Sequence, residues 1–174
     1  QRVEQNDSDP LRVVYTPLNG TGLECVSRIL KRIGVDDIHV VEQQAKPDGK
    51  FPTCPYPNPE SRDALELGIE LCEQVHPDLL LATDPDADRV GIAVKDGQDY
   101  KLLSGNEVGV LLLDFICRSR TQAKSLPENP VAVTTIVSSS MVDPVASHYG
   151  VEVRRVLTGF KYIGGVIAEL EQAN

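Results

Sequence analysis

The chain has 174 residues, with 17 Lys and Arg against 26 Asp and Glu, a formal charge of −9 and a pI near 4.8. That balance argues against a protein whose business is neutralising nucleic-acid phosphates or anionic lipid, while 41% apolar residues suffice for a packed core. The longest apolar run, residues 108–116, already contains Asp114, so no membrane-crossing helix is expected. The polar start Gln1-Arg2-Val3-Glu4 carries no signal-peptide pattern. The expectation is a soluble, cytoplasmic protein that binds neither nucleic acid nor membrane. Because the sequence opens on Gln1 and closes on a helical pattern with no strand after it, a piece of something longer is expected.

In chain order, residues 1–10 read as a polar tail. Residues 12–16 read as a short strand, and Leu18-Asn19-Gly20-Thr21-Gly22 as a turn. Apolar residues at Leu23, Val26, Ile29, Leu30 and Ile33 have helical spacing, with Gly34 as the stop. Residues 37–42 are strand-like again, and strand–helix–strand alternation marks a parallel α/β sheet. Five prolines between Pro47 and Pro59 make residues 43–59 an ordered excursion without helix. Helical spacing returns over residues 60–75. The nearly all-apolar residues 78–83 then read as a central parallel strand buried on both faces. Residues 89–94 and 100–103 read as a hairpin with Asp96-Gly97 at its corner.

A second unit is expected from residue 105. It comprises a helix at 106–118, a strand at 131–137, a helix at 139–149 capped by Ser139, a strand at 151–157, a loop at 158–164 and a last helix. The fold class expected is α/β: two mixed or mostly parallel three-layer units, residues 11–104 and 105–174, the second incomplete. Of the four cysteines, none forms a Cys-x-x-Cys pair, so a zinc ribbon is unsupported. Cys25, Cys72 and Cys117 fall among apolar residues on expected helix faces and read as small core residues of a reducing compartment.

The chemistry concentrates in Asp84-Pro85-Asp86-Ala87-Asp88-Arg89, directly after the apolar strand. Carboxylates at i, i+2 and i+4 of an extended segment point to one side. Three such charges at a strand's C-terminal end are costly to gather without a cation. An all-oxygen site suits Mg²⁺, and Arg89 offers a planar fork of donors for phosphate. Acidic runs are usually solvated surface; the position at a strand end of an α/β sheet is what favours a ligand here. An EF-hand fails on spacing, with Arg89 where the loop needs Gly and Lys95 where it needs Glu. A Mg²⁺-dependent phosphatase using Asp84 as nucleophile, and a non-catalytic metal- or nucleotide-binding module, remain as alternatives. Leu18 to Gly22 reads as a tight turn before it reads as a phosphate cradle. His39, His76 and Lys50 have no partner motif.

These segments together resemble the α-D-phosphohexomutases, the phosphoglucomutase/phosphomannomutase group. Asp84 to Arg89 resembles that family's metal loop, and Thr16-Pro17-Leu18-Asn19-Gly20-Thr21-Gly22 its turn opening the second domain. Asp48-Gly49-Lys50-Phe51-Pro52 with Pro57-Asn58-Pro59-Glu60 is similar to its Pro-rich segment, and Thr158-Gly159-Phe160-Lys161 to the third domain's Thr-Gly-aromatic-Lys loop. The resemblance implies exchange of a phosphoryl group between C1 and C6 of a hexose phosphate, through a phosphoserine and a hexose bisphosphate. It implies Asp84, Asp86 and Asp88 as Mg²⁺ ligands, Arg89 as a phosphate contact, and Lys161, Thr158 and Gly159 at the sugar phosphate. The family's Ser-His-Asn-Pro-like serine loop is absent from the 174 residues, so domains I and IV of such an enzyme are expected to be missing. Ala146-Ser147-His148-Tyr149 is only a superficial match, on an expected helix and without Asn-Pro.

Overall fold

The computed structural model describes residues 10–173, so all but the last residue of the tail expected at residues 1–10 lies outside the described residues. The chain divides into two compact units that meet between Gly105 and Asn106. The first runs β1 (Arg12–Thr16), α1 (Leu23–Arg32), β2 (Asp37–Val40), α2 (Glu42–Ala45), α3 (Arg62–Val75), β3 (Leu79–Thr83), β4 (Val90–Asp96) and β5 (Asp99–Leu103). Its five strands lie in the order β2-β1-β3-β4-β5. β1 is parallel to both β2 and β3, whereas β4 and β5 return antiparallel. Helical crossovers return the chain to the same edge before β2 and β3, which makes those pairs parallel. The short turns after β3 and β4 can only reverse the chain. The second turn is the two-residue Gly97-Gln98, with Gly97 at φ +63° as such a hairpin demands.

The apolar run of residues 78–83 is thus the central strand, parallel to one neighbour and antiparallel to the other. One face carries the core, in which Val14, Leu80, Ala82, Ala93 and Tyr100 pack against Ala64, Leu65, Ile69 and Cys72 of α3. The opposite face is less covered: Leu79, Leu81, Ile92 and Val94 are half-buried. The Pro-rich excursion contains one helical turn, α2, where no helix was expected. Buried Gln44 and Ala45 of that turn tuck it under the sheet end. Farther along, the excursion rests on β4, for a Cβ on Gly91 would overlap the backbone of Pro59.

The second unit contains α4 (Gly105–Gln122, starting on the boundary residue), β6 (Val131–Thr135), α5 (Val142–His148), β7 (Glu152–Val156) and α6 (Phe160–Ala173), with β6 and β7 paired in parallel. Cys117, Ala146 and Val151 form its small core, and the Tyr149 hydroxyl donates to Asp114 Oδ1 at 2.7 Å. Two expectations change here. Ser139 does not cap α5: Met141 is the N-cap residue without a side-chain bond, and Ser139 Oγ accepts from the Met141 N–H in a local turn. The loop expected at 158–164 is already helix from Phe160, which puts Lys161 on the first turn of α6. No described helix is long and apolar enough to cross a membrane.

All four cysteines are free, and Cys25 is exposed instead of lying in the core. The spacing of α1 is amphipathic, yet none of its residues is fully buried and Ile29 remains 53% exposed. Burial pushes the Cys72 thiol up to about 12, and those of Cys54 and Cys117 upward as well. An aromatic disulfide reagent at neutral pH should therefore label one thiol of the folded protein. Cys25→Ser should abolish that labelling, and rapid modification of two or more thiols would contradict this packing. Gly91→Ala should lower the stability of the first unit by about 1–3 kcal/mol through forced displacement of Pro59. A denaturant midpoint that does not move would show the contact to be soft.

Candidate functional site

β1 and β3 are adjacent and parallel, with Thr16 opposite Ala82, so the loops that follow them leave the sheet side by side. The loop after β3 is the acidic one. It is a turn and not the extended segment expected: Ala87 takes a left-handed φ of +59°, and its N–H donates to the Asp84 carbonyl at 3.0 Å. The carboxylates nevertheless converge. One oxygen from each of Asp84, Asp86 and Asp88 lies within 4.8 Å of the others. Oxygens bound to one Mg²⁺ at 2.0–2.1 Å stand about 3–4 Å apart, so the three lie near the spacing that such an ion sets.

The three carboxylates have different environments. Asp84 is buried, its side chain 2% exposed, while Asp86 and Asp88 face solvent. Both Asp84 oxygens are engaged by Arg89: the backbone N–H donates to Oδ1 at 2.9 Å, and Nε–H donates to Oδ2 at 2.9 Å. Burial alone would push Asp84 up, but the hydrogen bonds and charge of Arg89 outweigh it and hold this carboxyl below the usual range. Asp88 is pushed the other way, upward, by the negative charges of Asp86 and then Asp84. Arg89 itself stays 62% exposed, with Nε also 3.8 Å from Asp88. Three carboxylates and one guanidinium leave the loop two charges negative. The donor set is all oxygen and hard, it is partly open to solvent, and it fits a hard divalent cation.

The neighbouring loop is more deeply organised than its turn motif suggests. Leu18 and Asn19 both have positive φ, +49° and +57°. The Leu18 N–H donates to Thr16 Oγ1, and that of Asn19 donates to the Gln44 carbonyl. The Gly20 N–H bonds the Pro17 carbonyl and the Thr21 N–H that of Pro85. Four loop amides are therefore already committed, and this loop is not an open phosphate cradle. Beneath it, the Thr16 hydroxyl donates to Gln44 Oε1 at 2.6 Å. Thr53 accepts from Gln44 Nε2 and donates to Asn19 Oδ1. Gln44 and Thr53 carry no sequence signal of this role, since both lie in the stretch read only as Pro-rich.

Thr158, Gly159 and Lys161 belong to the second unit and are exposed. Gly159 has φ +128°, and Lys161 Nζ sits 4.8 Å from the ring centre of Tyr162. His39 bonds Asp37 at the opposite end of the sheet and His76 is the left-handed C-cap of α3, so neither joins the acidic loop; Ser147 lies within α5 of the second unit.

Comparison with known proteins agrees with this fold. Residues 1–97 match the family description of phosphoglucomutase/phosphomannomutase, alpha/beta/alpha domain II, and residues 104–173 match alpha/beta/alpha domain III. A phosphoglucomutase of Staphylococcus aureus is 39% identical over 162 residues, covering 92% of this chain and 29% of its own length. A phosphomannomutase of Mycoplasmoides pirum is 34% identical over 168 residues, covering 97% of this chain and 30% of its own. A crystal structure of a phosphoglucomutase/phosphomannomutase family protein from Burkholderia thailandensis shares the fold at a TM-score of 0.72 and 20% identity, covering 93% of this chain and 32% of that one. The chain thus spans under a third of the length of these relatives. Its two matched segments together fill almost its whole length, and the chain belongs to the phosphoglucomutase/phosphomannomutase family.

Proposed function

We propose that this chain supplies the cation-holding loop and a sugar-phosphate contact of a cytoplasmic phosphohexomutase. Such an enzyme interconverts hexose 1-phosphate and hexose 6-phosphate through a phosphoserine and a hexose bisphosphate. The observation that carries the reading is the convergence of Asp84, Asp86 and Asp88 beside Arg89 at the end of the central strand. Phosphoryl transfer needs mainly positioning and neutralisation of charge on the moving oxygens. Asp84, Asp86 and Asp88 would hold Mg²⁺, which when bound supplies that neutralising charge.

Arg89 is oriented by its bond to Asp84 through Nε, and its exposure leaves the outer edge of the guanidinium for a phosphate oxygen. Lys161, with Thr158 and Gly159 shaping the start of α6, would meet the sugar phosphate from the second unit. The phosphoryl-carrying serine and the remaining phosphate contacts belong to further domains, I and IV, of such an enzyme. A phosphatase with Asp84 as nucleophile is a poorer reading: both oxygens already accept hydrogen bonds from Arg89, which lowers their nucleophilicity while leaving lone pairs for a cation.

Mg²⁺ should raise the melting temperature in a concentration-dependent way, because a ligand that binds only the folded state stabilises it, by about 2.7 kcal/mol at a hundredfold excess over Kd. Asp86→Asn should shrink that gain without loss of secondary structure. Indifference of wild-type protein to millimolar Mg²⁺ would refute the metal role. The 174-residue chain alone should show no turnover of hexose 1-phosphate in a coupled assay with Mg²⁺ and a bisphosphate activator, for want of a residue that can form the phosphoenzyme. Turnover that disappears in Ser147→Ala would place the nucleophile on α5 and reverse this view.

A further inference from the structure

We infer that the Leu18–Gly22 loop, fastened by the buried polar network beneath it, is the template that sets the acidic loop's geometry. Gly20 and Thr21 are then positioning residues for the carboxylates. The inference rests on the metal reading above for its consequence, though not for its geometry. Its starting point is a single carbonyl. The Pro85 C=O, in the middle of Asp84-Pro85-Asp86, accepts two hydrogen bonds from Thr21: one from the backbone N–H at 2.9 Å and one from Oγ1 at 3.1 Å. A carbonyl gripped by two donors fixes the plane of its peptide, and that plane sets the direction in which the next Cα, that of Asp86, projects. Asp84 is buried and clasped by Arg89, whereas the Asp86 side chain lies at the surface.

Contact at this point requires glycine. A Cβ on Gly20 would overlap the Cα and carbonyl of Pro85, so the two loops meet backbone against backbone. The same crowding continues at Gly22, where a Cβ would fall 2.7 Å from Thr83 Oγ1 and 3.3 Å from the Ala87 Cβ. Such an approach works as a template only if the loop giving it is stiffer than the loop receiving it. Leu18 and Asn19 occupy left-handed backbone that costs both residues energy, and such conformations persist only where surroundings over-determine them. Here they are over-determined. Thr16, Asn19 and Gln44 are 0%, 5% and 1% exposed, and the Asn19 side-chain nitrogen also donates to the carbonyls of Gln43 and Lys46. The Pro-rich excursion, which supplies Gln44 and Thr53, therefore reaches the carboxylates through Asn19, Gly20 and Thr21.

The test compares Gly20→Ala, Thr21→Val and, as a control in open space, Gly49→Ala. Two readouts are taken: amide hydrogen exchange without metal, and Mg²⁺ affinity by calorimetry, each well below the melting temperature. Gly20→Ala should speed exchange of the Ala87 and Arg89 amides at least tenfold while leaving those of β1 and β3 unchanged, and should weaken Mg²⁺ at least tenfold. Thr21→Val, which keeps the backbone donor, should give a smaller change in the same direction and remains informative if Gly20→Ala fails to fold. Gly49→Ala should match wild type in both. Wild-type exchange at Ala87 and Arg89 in both loop variants overturns the template. If exchange changes as expected while wild-type protein shows no Mg²⁺ binding, the template stands and the metal reading falls.

Discussion

A carboxylate with its side chain 2% exposed sits at the end of the central strand, and its neutralisation by Arg89 is the constraint around which the site is organised. An ionised group in that position costs several kcal/mol unless partners replace the water it has lost. Arg89 supplies both partners from five residues away, through its backbone and its side chain, so a single residue closes the turn and balances the charge. The guanidinium is mostly in solvent, which screens the attraction from its outer side. The firmer contribution comes from the inner side, where the hydrogen bonds replace lost hydration. Everything else in the loop follows from this closure. The chain between the two residues must bulge outward, and the bulge carries Asp86 and Asp88 into solvent beside the buried carboxylate.

The sheet determines what can stand next to that bulge. Because β1 and β3 are parallel neighbours, the two loops that follow them share one edge, whereas the reversal into β4 removes the chain from that edge immediately. The crossover between β2 and β3 is long enough to carry the Pro-rich excursion, and this excursion places Gln44 under the first loop and Pro59 against Gly91 behind the second. Proline suits such a path because it gives the segment a stiff, extended course at little conformational cost. An excursion with a single helical turn thus supports both the first loop and the strand that follows the acidic turn.

Much of this was legible in the sequence, for identifiable reasons. A run such as Leu79-Leu80-Leu81-Ala82 has one good home in an α/β fold, at the sheet centre, and the position after it is where ligands gather. The order of strands and helices followed from apolar period and from glycine and proline stops. What escaped prediction depends on backbone states or neighbours that residue type does not disclose. Ala87 and Leu18 are left-handed without being glycine, so the acidic segment reads as extended when it is a turn. Cys25 lies on an amphipathic pattern, but α1 has no layer beyond it to bury that face. Lys161 lies in the stretch 158–164 that reads as a loop, whereas Gly159 at φ +128° is the last residue before the helix. Gln44 was invisible because a buried glutamine is defined by its partners, and those lie 28 and 9 residues away.

The charge arithmetic of the acidic loop limits what it can bind. A second arginine in place of one aspartate would leave the four side chains neutral, and such a loop would have no electrostatic demand on a ligand. With three carboxylates and one guanidinium, two negative charges remain unbalanced within a few ångströms, and the upward shift of Asp88 registers that repulsion. A monovalent cation would leave one charge over, and a phosphate dianion on its own would be repelled. A divalent cation would restore neutrality, and on the proposed function a phosphate would then face a neutralised loop and Arg89 instead of bare carboxylates. The proposed function would therefore have the cation in the resting site, ahead of any phosphate. The turn, by keeping one carboxylate buried and two outside, holds the imbalance on the solvent side, where both can enter.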